Sequence, residues 1–244
     1  MDNPRPVQRD FDFNIMTSLT LYLPIFTFII NYIILFGFTN PNMDYFCGIS
    51  DFSRFFPTSR IFMASSGIQI FCCFIVYFFH NIIFRLIEKA GVVSIRRRRC
   101  LIMRTICWIT LFIWGFGGMV MSISHSAKDY NVHFMGLLLF FYGSFFYFLC
   151  RDVYILKNLK IETGSLSLCL TCSIPFLSFI SLFLLYFVET NTAKTIGNFF
   201  ADFVYLEIYF KFWYSKNDIP PFLIRIKDQS KKKAYLIDSF QTLF

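Results

Sequence analysis

Residues 163–188 read TGSLSLCLTCSIPFLSFISLFLLYFV, a run without one Asp, Glu, Lys or Arg, fenced by Glu162 and Glu189. An α-helix needs about 20 largely apolar residues to cross roughly 30 Å of bilayer hydrocarbon, so this run is long enough to span. The same fencing recurs between Asp12 and Asp44, Arg60 and Arg85, Arg104 and Lys128, and Asp129 and Arg151. A further stretch, Ile196 to Tyr214, is rich in Phe, Tyr and Trp but carries Asp202, Glu207 and Lys211. Its aromatic content still favours a span. None of these runs alternates apolar with polar types, as the strands of a membrane barrel would. The expectation is an all-α fold: a polytopic membrane protein with a six-transmembrane-helix bundle and short loops. The helices fall near 16–38, 61–84, 101–124, 133–153, 164–188 and 196–215. The first is too long for the apolar core of a signal peptide and reads as an uncleaved span.

Composition agrees. Of 244 residues, 56% are apolar types and 16% are charged, and 36 are Phe; soluble domains carry roughly 25% charged residues. Disordered, collagen-like and ordinary soluble chains are excluded, and so is a small secreted disulfide scaffold. The chain divides into an N-terminal segment 1–15, a transmembrane domain 16–215 and a basic tail 216–244. Most Lys and Arg residues lie in the first segment, around residues 85–99 and 151–160, and in the tail. The positive-inside rule then puts both termini in the cytosol, with loops 39–60, 125–132 and 189–195 on the opposite side. Arg96, Arg97, Arg98 and Arg99 anchor the third span and are candidates for anionic-lipid contact, at about 1 kcal/mol per residue. The tail is read as an amphipathic helix on the bilayer, a docking segment or disordered chain.

Polar groups at membrane depth need a reason. Arg104 and Lys211 sit near span ends, and both are expected to reach the interface along their aliphatic stems. Glu207 precedes Lys211 by one turn, so a local ion pair accounts for it. Asp202 has no partner in its own span. Together with His133 and with Asp51, Arg54 and Arg60 of the first non-cytosolic loop, it could form one polar site at the mouth of the bundle. Two readings stand: a lipid head-group site, with His133 and Asp202 as weak catalytic candidates, or hydrogen bonds that only tie the loop to the helix ends. Cys169 and Cys172 have CxxC spacing, but in an apolar helix without His they read as buried small residues rather than a metal or redox pair. Cys100 and Cys150 lie at cytosolic edges, where acylation or an ordinary interfacial cysteine both fit. Gly115, Gly117 and Gly118 permit close helix contact. GxSxG, HExxH and GxxxxGK[ST] motifs are absent, and no cofactor or metal is expected.

Two segments carry a family resemblance. One is Ile49-Ser50-Asp51, then Pro57, then Ile61-Phe62. The other is His133-Phe134-Met135-Gly136, followed by Phe140-Phe141, Gly143 and Phe146-Tyr147. With Asp202-Phe203 in the last span, they resemble the six-span family of the damage-regulated autophagy modulators (DRAM), the yeast Sfk proteins and the post-GPI-attachment lipid-remodelling protein. The loop after Asp51 lacks the family's Thr-Gly, and residues 126–131 replace its Asn-Phe-Gln. The resemblance implies lipid handling: GPI-anchor remodelling, phospholipid organisation or autophagy. It brings no catalytic residue set.

The expected function is a multi-pass protein that binds or organises phospholipid or GPI lipid as a non-catalytic accessory subunit of a larger lipid-transfer or lipid-modifying complex. Its partners would be membrane lipids and a larger membrane protein, not nucleic acid. The alternative is an intramembrane enzyme that remodels lipid acyl or head groups at the luminal surface. The endoplasmic reticulum membrane is the expected location, with Golgi and lysosome membranes as alternatives.

Overall fold

Hydrocarbon offers a peptide group no hydrogen-bonding partner, so an apolar segment closes its backbone bonds within itself as a helix. The computed structural model describes residues 8–11, 13–39, 44–89, 97–124, 128–159, 164–215 and 224–227. In chain order these form β1 (Gln8–Phe11), α1 (Phe13–Ile34), α2 (Ile49–Phe52), α3 (Thr58–Lys89), α4 (Arg97–Ile123), α5 (Tyr130–Tyr154), α6 (Ser165–Phe187), α7 (Asn191–Tyr214) and β2 (Ile224–Lys227). Helices α1 and α5 each continue into one π-helical turn, Leu35–Thr39 and Ile155–Leu159.

Among the described residues, five helices are long and apolar enough to cross a membrane: α1, α3, α4, α5 and α6. The stretches are Thr17–Phe38, Thr58–Arg85, Arg99–Ile123, Tyr130–Lys157 and Ser165–Phe187, close to the expected spans. Helix α7 matches them in length at 24 residues but carries Lys194, Asp202, Glu207 and Lys211. Asp202, Glu207 and Lys211 are buried against protein. The charges that lower its hydropathy therefore face neighbouring helices.

The long helices pack in sequence order, each on its predecessor, and α7 closes the ring against α1. The α4–α5 hairpin is the most extensive of these contacts, and glycines explain why. A Cβ on Gly117 would lie 2.4 Å from the Phe140 backbone nitrogen, one on Gly136 2.6 Å from that of Met121, and one on Gly143 2.8 Å from that of Trp114. These pairs keep one antiparallel register along both helices. Lipid tails are as apolar as Leu, so contact between spans depends on close packing rather than on hydrophobic transfer. Gly136 and Gly143, two residues of the resemblance motif, are thus packing positions. Trp114, fully buried, stacks on Phe140 at 5.7 Å and meets Phe212 of α7 at 5.0 Å. Tyr147 stacks on Phe212 at 5.3 Å.

Two expectations change, those for the Cys169–Cys172 pair and for Lys211. The start of the tail adds a strand: Ile224-Arg225-Ile226-Lys227 pairs antiparallel with Gln8–Phe11, with Gln8 opposite Lys227. Its period-two alternation of Ile with cations suits a strand. The remaining tail, 228–244, on whose residues the helix, docking and disorder readings rest, lies outside the described residues. Cys169 and Cys172 are exposed on the outer face of α6 rather than buried, because Ser167, Thr171 and Ile174 take the inner face. Cys100 is buried, whereas Cys150 is half-buried, and no disulfide joins any of the eight cysteines. Lys211 does not reach outward: it is fully buried.

Candidate functional site

The loop between α1 and α3 is fastened to α7 by its own backbone. Asp202 Oδ1 accepts the Ile49 backbone N–H at 2.7 Å, and Oδ2 accepts the Tyr32 hydroxyl at 2.6 Å. That hydroxyl lies 2.9 Å from the Cys47 carbonyl oxygen. One turn earlier on α7, the Asn198 amide donates to the Phe46 carbonyl at 2.7 Å and to Asp51 Oδ2 at 3.2 Å. The Phe46 N–H donates to Thr195 Oγ1 at 3.1 Å. Gly48 lies so close to α7 that a Cβ there would sit 2.7 Å from Asn198 Cβ.

Asp51 organises the loop from within. Its Oδ2 accepts the Gly48 N–H at 3.2 Å, closing the start of α2, and its Oδ1 accepts Arg54 Nη1 at 3.1 Å. Arg54 also donates to the Tyr45 hydroxyl at 2.6 Å. Across the same ring, the Lys194 ammonium of α7 stands 5.6 Å from the Tyr45 centroid. Burial raises the Asp51 carboxyl above the usual carboxylate range, opposed by Arg54 and by its N–H donors. Burial, reinforced by the Asp51 charge, pushes the Cys47 thiol up to about 11. Tyr45 rises to about 12, through burial and then Asp51. Beside this cluster Tyr32, Phe36 and Phe46 stack, with Tyr32–Phe36 at 5.6 Å and Tyr32–Phe46 at 5.7 Å. Phe36 and Phe46 are exposed, and so are Phe38 and Phe56.

Of the residues singled out from the sequence, Asp51, Arg54 and Asp202 share this network. Arg60 sits exposed on the first turn of α3. His133 is fully buried, with Nδ1 3.2 Å from both Ser124 Oγ and the Ser124 carbonyl oxygen, so it braces the α4–α5 turn. Both carboxylate oxygens of Asp202 are taken by Ile49 and Tyr32. The tie between loop and helix ends is therefore real for both aspartates. Arg97 to Arg99 open α4, with Arg99 exposed; Arg96 lies outside the described residues. Among the described residues no group of three or more His, Cys, Asp or Glu could hold a metal ion.

A second charged cluster lies at the other end of the bundle. Asp152 Oδ2 accepts the Lys211 ammonium at 3.0 Å and the Thr171 hydroxyl at 2.7 Å, while Oδ1 accepts Arg151 Nη1 at 3.3 Å. Lys211 also donates to the Ser167 carbonyl at 2.5 Å, and Arg151 Nη2 to the Ser215 carbonyl at 3.1 Å. Lys211 is thus a clasp between α5, α6 and α7, and Glu207 accepts instead from Ser173 of α6. The local Glu207–Lys211 pair is replaced because each side chain reaches a better-placed partner on a neighbouring helix. Sequence reading missed Asp152 because, next to Arg151 at a span end, it looks like an ordinary loop charge. It missed Tyr32 and Tyr45, whose type is everywhere in this chain. Asn198 carried a usable signal: it precedes Asp202 by one helical turn and shares its face.

Comparison with known proteins found no matching family model, no matching curated protein and no matching solved structure.

Proposed function

We propose that the chain crosses the membrane six times, with both termini cytosolic, and binds phospholipid head groups at the loop end as a non-catalytic lipid-organising protein. The observation that carries the reading is the convergence of Arg54 and Lys194 on Tyr45 from two separate elements. Beside them lie the exposed rings of Phe36 and Phe46, stacked with Tyr32, and Phe38 and Phe56 in the same stretch of chain are exposed as well. Two cations over an aromatic edge suit a phosphate with its acyl chains in the adjoining leaflet. The pairing of β1 with β2 supports an even number of crossings, because it brings the two ends of the chain together. The buried polar face of α7 supports its entry as the sixth span.

A structural use of both aspartates and of His133 favours the accessory reading over acid–base chemistry. The likeness of the Ile49-Ser50-Asp51 and His133-x-x-Gly136 segments to the DRAM and Sfk family supports a lipid role beside a larger membrane protein. It also supports the endoplasmic reticulum, Golgi or lysosome as the membrane concerned. Arg96 to Arg99 would hold anionic lipid at the cytosolic edge.

Native mass spectrometry of the full-length protein extracted in mild detergent tests the head-group site. Bound phospholipid is expected in the parent and is lost in Arg54→Ala/Lys194→Ala. Equal retention in both sinks the reading. Impermeant labels at residues 97 and 128 test the crossings: reaction from the same side would refute them. Retained lipid turnover by His133→Ala and Asp202→Ala variants would exclude these residues from chemistry; its loss with folding and lipid binding intact would restore the enzyme reading.

A further inference from the structure

Tyr32 meets two acceptors with one hydrogen. Its hydroxyl oxygen lies 2.6 Å from Asp202 Oδ2 and 2.9 Å from the Cys47 carbonyl oxygen. A phenol carries a single O–H, and neither a backbone carbonyl nor an ionised carboxylate can donate. With Asp202 ionised, the Tyr32 hydrogen goes to Oδ2 and the Cys47 carbonyl faces a bare oxygen. One added proton removes the shortfall. Placed on Oδ2, it is donated to the Tyr32 oxygen, and the Tyr32 hydrogen turns to the Cys47 carbonyl. Oδ1 keeps the Ile49 N–H in both forms.

The neighbouring aspartate shows the contrast. Asp51 accepts from the Gly48 N–H, the Asn198 amide and the Arg54 cation, a set that holds an ionised carboxylate. Asp202 is 6% exposed and, among the described residues, has no ion-pair partner. The titratable groups that face it are Tyr32 of α1 and Cys47 and Asp51 of the loop. Arg54 is committed to Asp51 and Tyr45, and Lys194 of α7 stands over the Tyr45 ring. Tyr186 of α6 interacts with the Asp51 charge. Phe62 and Gln69 of α3, which meet Tyr205 one turn further along α7, carry no charge. A buried carboxylate without a cation, beside a second acid, is costly, and binding a proton relieves both causes.

We infer that Asp202 is a proton-binding site and that its proton latches the loop onto α7. In the protonated form one unbroken chain of donors runs from the Ile49 N–H through the Asp202 carboxyl and the Tyr32 hydroxyl to the Cys47 carbonyl, so the segment 47–49 is held at both ends. Loss of the proton releases the Cys47 end. The held loop is the form that carries the extra proton, so its attachment strengthens as the pH at the loop end falls and weakens as it rises. Tyr45 and Arg54 ride on this loop and Lys194 on α7, so the latch also sets how firmly these three converge. That consequence rests on the head-group reading; the latch itself does not.

Full-length protein in mild detergent is followed by infrared spectroscopy and by amide hydrogen exchange of residues 44–53, from about pH 5 to about pH 8. A carboxylic-acid C=O band is expected at the acid end, fades as the pH rises, and is missing in Asp202→Asn. Over the same range the loop's exchange in the parent, corrected for the intrinsic effect of pH on exchange, should rise several-fold. Asp202→Asn keeps a permanent N–H donor for Tyr32 and a carbonyl for Ile49, so its loop should stay protected throughout. Tyr32→Phe removes the relay and should exchange fast at every pH. A corrected rate in the parent that is flat across the range overturns the inference. So does a step that persists unchanged in Tyr32→Phe, or a band that survives Asp202→Asn and disappears in Asp51→Asn. Lipid retention is read separately, so failure of either proposal leaves the other standing.

Discussion

Asp202 of the last long helix receives the backbone N–H of Ile49, 153 positions earlier in the chain, at 2.7 Å. A buried carboxylate is thereby taken up by loop backbone, with Tyr32 on its other oxygen.

Removing that carboxylate should free the loop. Hydrogen bonds to charged groups contribute about 1.5–3 kcal/mol each. Asp202→Ala is therefore expected to lose on the order of 3 kcal/mol, and Asp202→Asn less, because its carbonyl oxygen keeps one donor. Thermal denaturation in detergent checks the order of the two variants. A stability equal to the parent's for Asp202→Ala would contradict the fastening.

The α4–α5 hairpin offers a matched comparison. Gly117→Ala and Gly143→Ala each drive a methyl into partner backbone and should cost about 1–3 kcal/mol as overpacking. Gly37 has nothing within 4 Å of its would-be Cβ, so Gly37→Ala should stay within about 0.5 kcal/mol of the parent. Melting curves of the three variants separate packing from a general intolerance of glycine loss.

The clasp at the opposite end predicts non-additivity. Asp152→Ala leaves Lys211 and Arg151 without their shared carboxylate, and breaking a buried pair costs about 3–5 kcal/mol. Adding Lys211→Met removes one stranded cation and should recover part of that loss. A double variant as unstable as the sum of the single ones would refute the direct pairing.

Cys47 provides the pH-dependent test. With its thiol at about 11, only about a thousandth is thiolate at pH 8, and the thiolate is the reactive form. Alkylation of Cys47 should rise about tenfold per pH unit from 7 towards 11. Asp51→Asn removes the charge that adds to the shift, so its curve should move to lower pH. A flat profile would contradict a raised thiol.

Much of this architecture was legible beforehand because membrane spans obey a one-dimensional rule: uncharged length. The glycines of α4 announced close packing for the same local reason. Side-chain partners are a different matter. Glu207 and Lys211 are one turn apart, and a helix wheel pairs them; only the positions of α5 and α6 show that Asp152 and Ser173 reach them instead. Cys169 and Cys172 likewise looked interior, since nothing in a uniformly apolar run tells which face meets lipid. His133 drew attention as an imidazole at a membrane edge, yet it braces a turn through Ser124.

The buried charges of α7 bear on how the chain is made. Asp, Lys or Arg at a helix centre opposes translocon insertion by about 2.5–3.5 kcal/mol each, and this helix carries Asp202, Glu207 and Lys211. Its counter-charge and hydrogen-bond partners sit on helices that leave the ribosome before it. Entering alone, it would meet lipid with its acids and lysine bare; entering beside α5 and α6, it finds Asp152, Ser167 and Ser173 already waiting. If α7 enters the bilayer as the sixth span proposed above, the helices before it escort it out of the translocon.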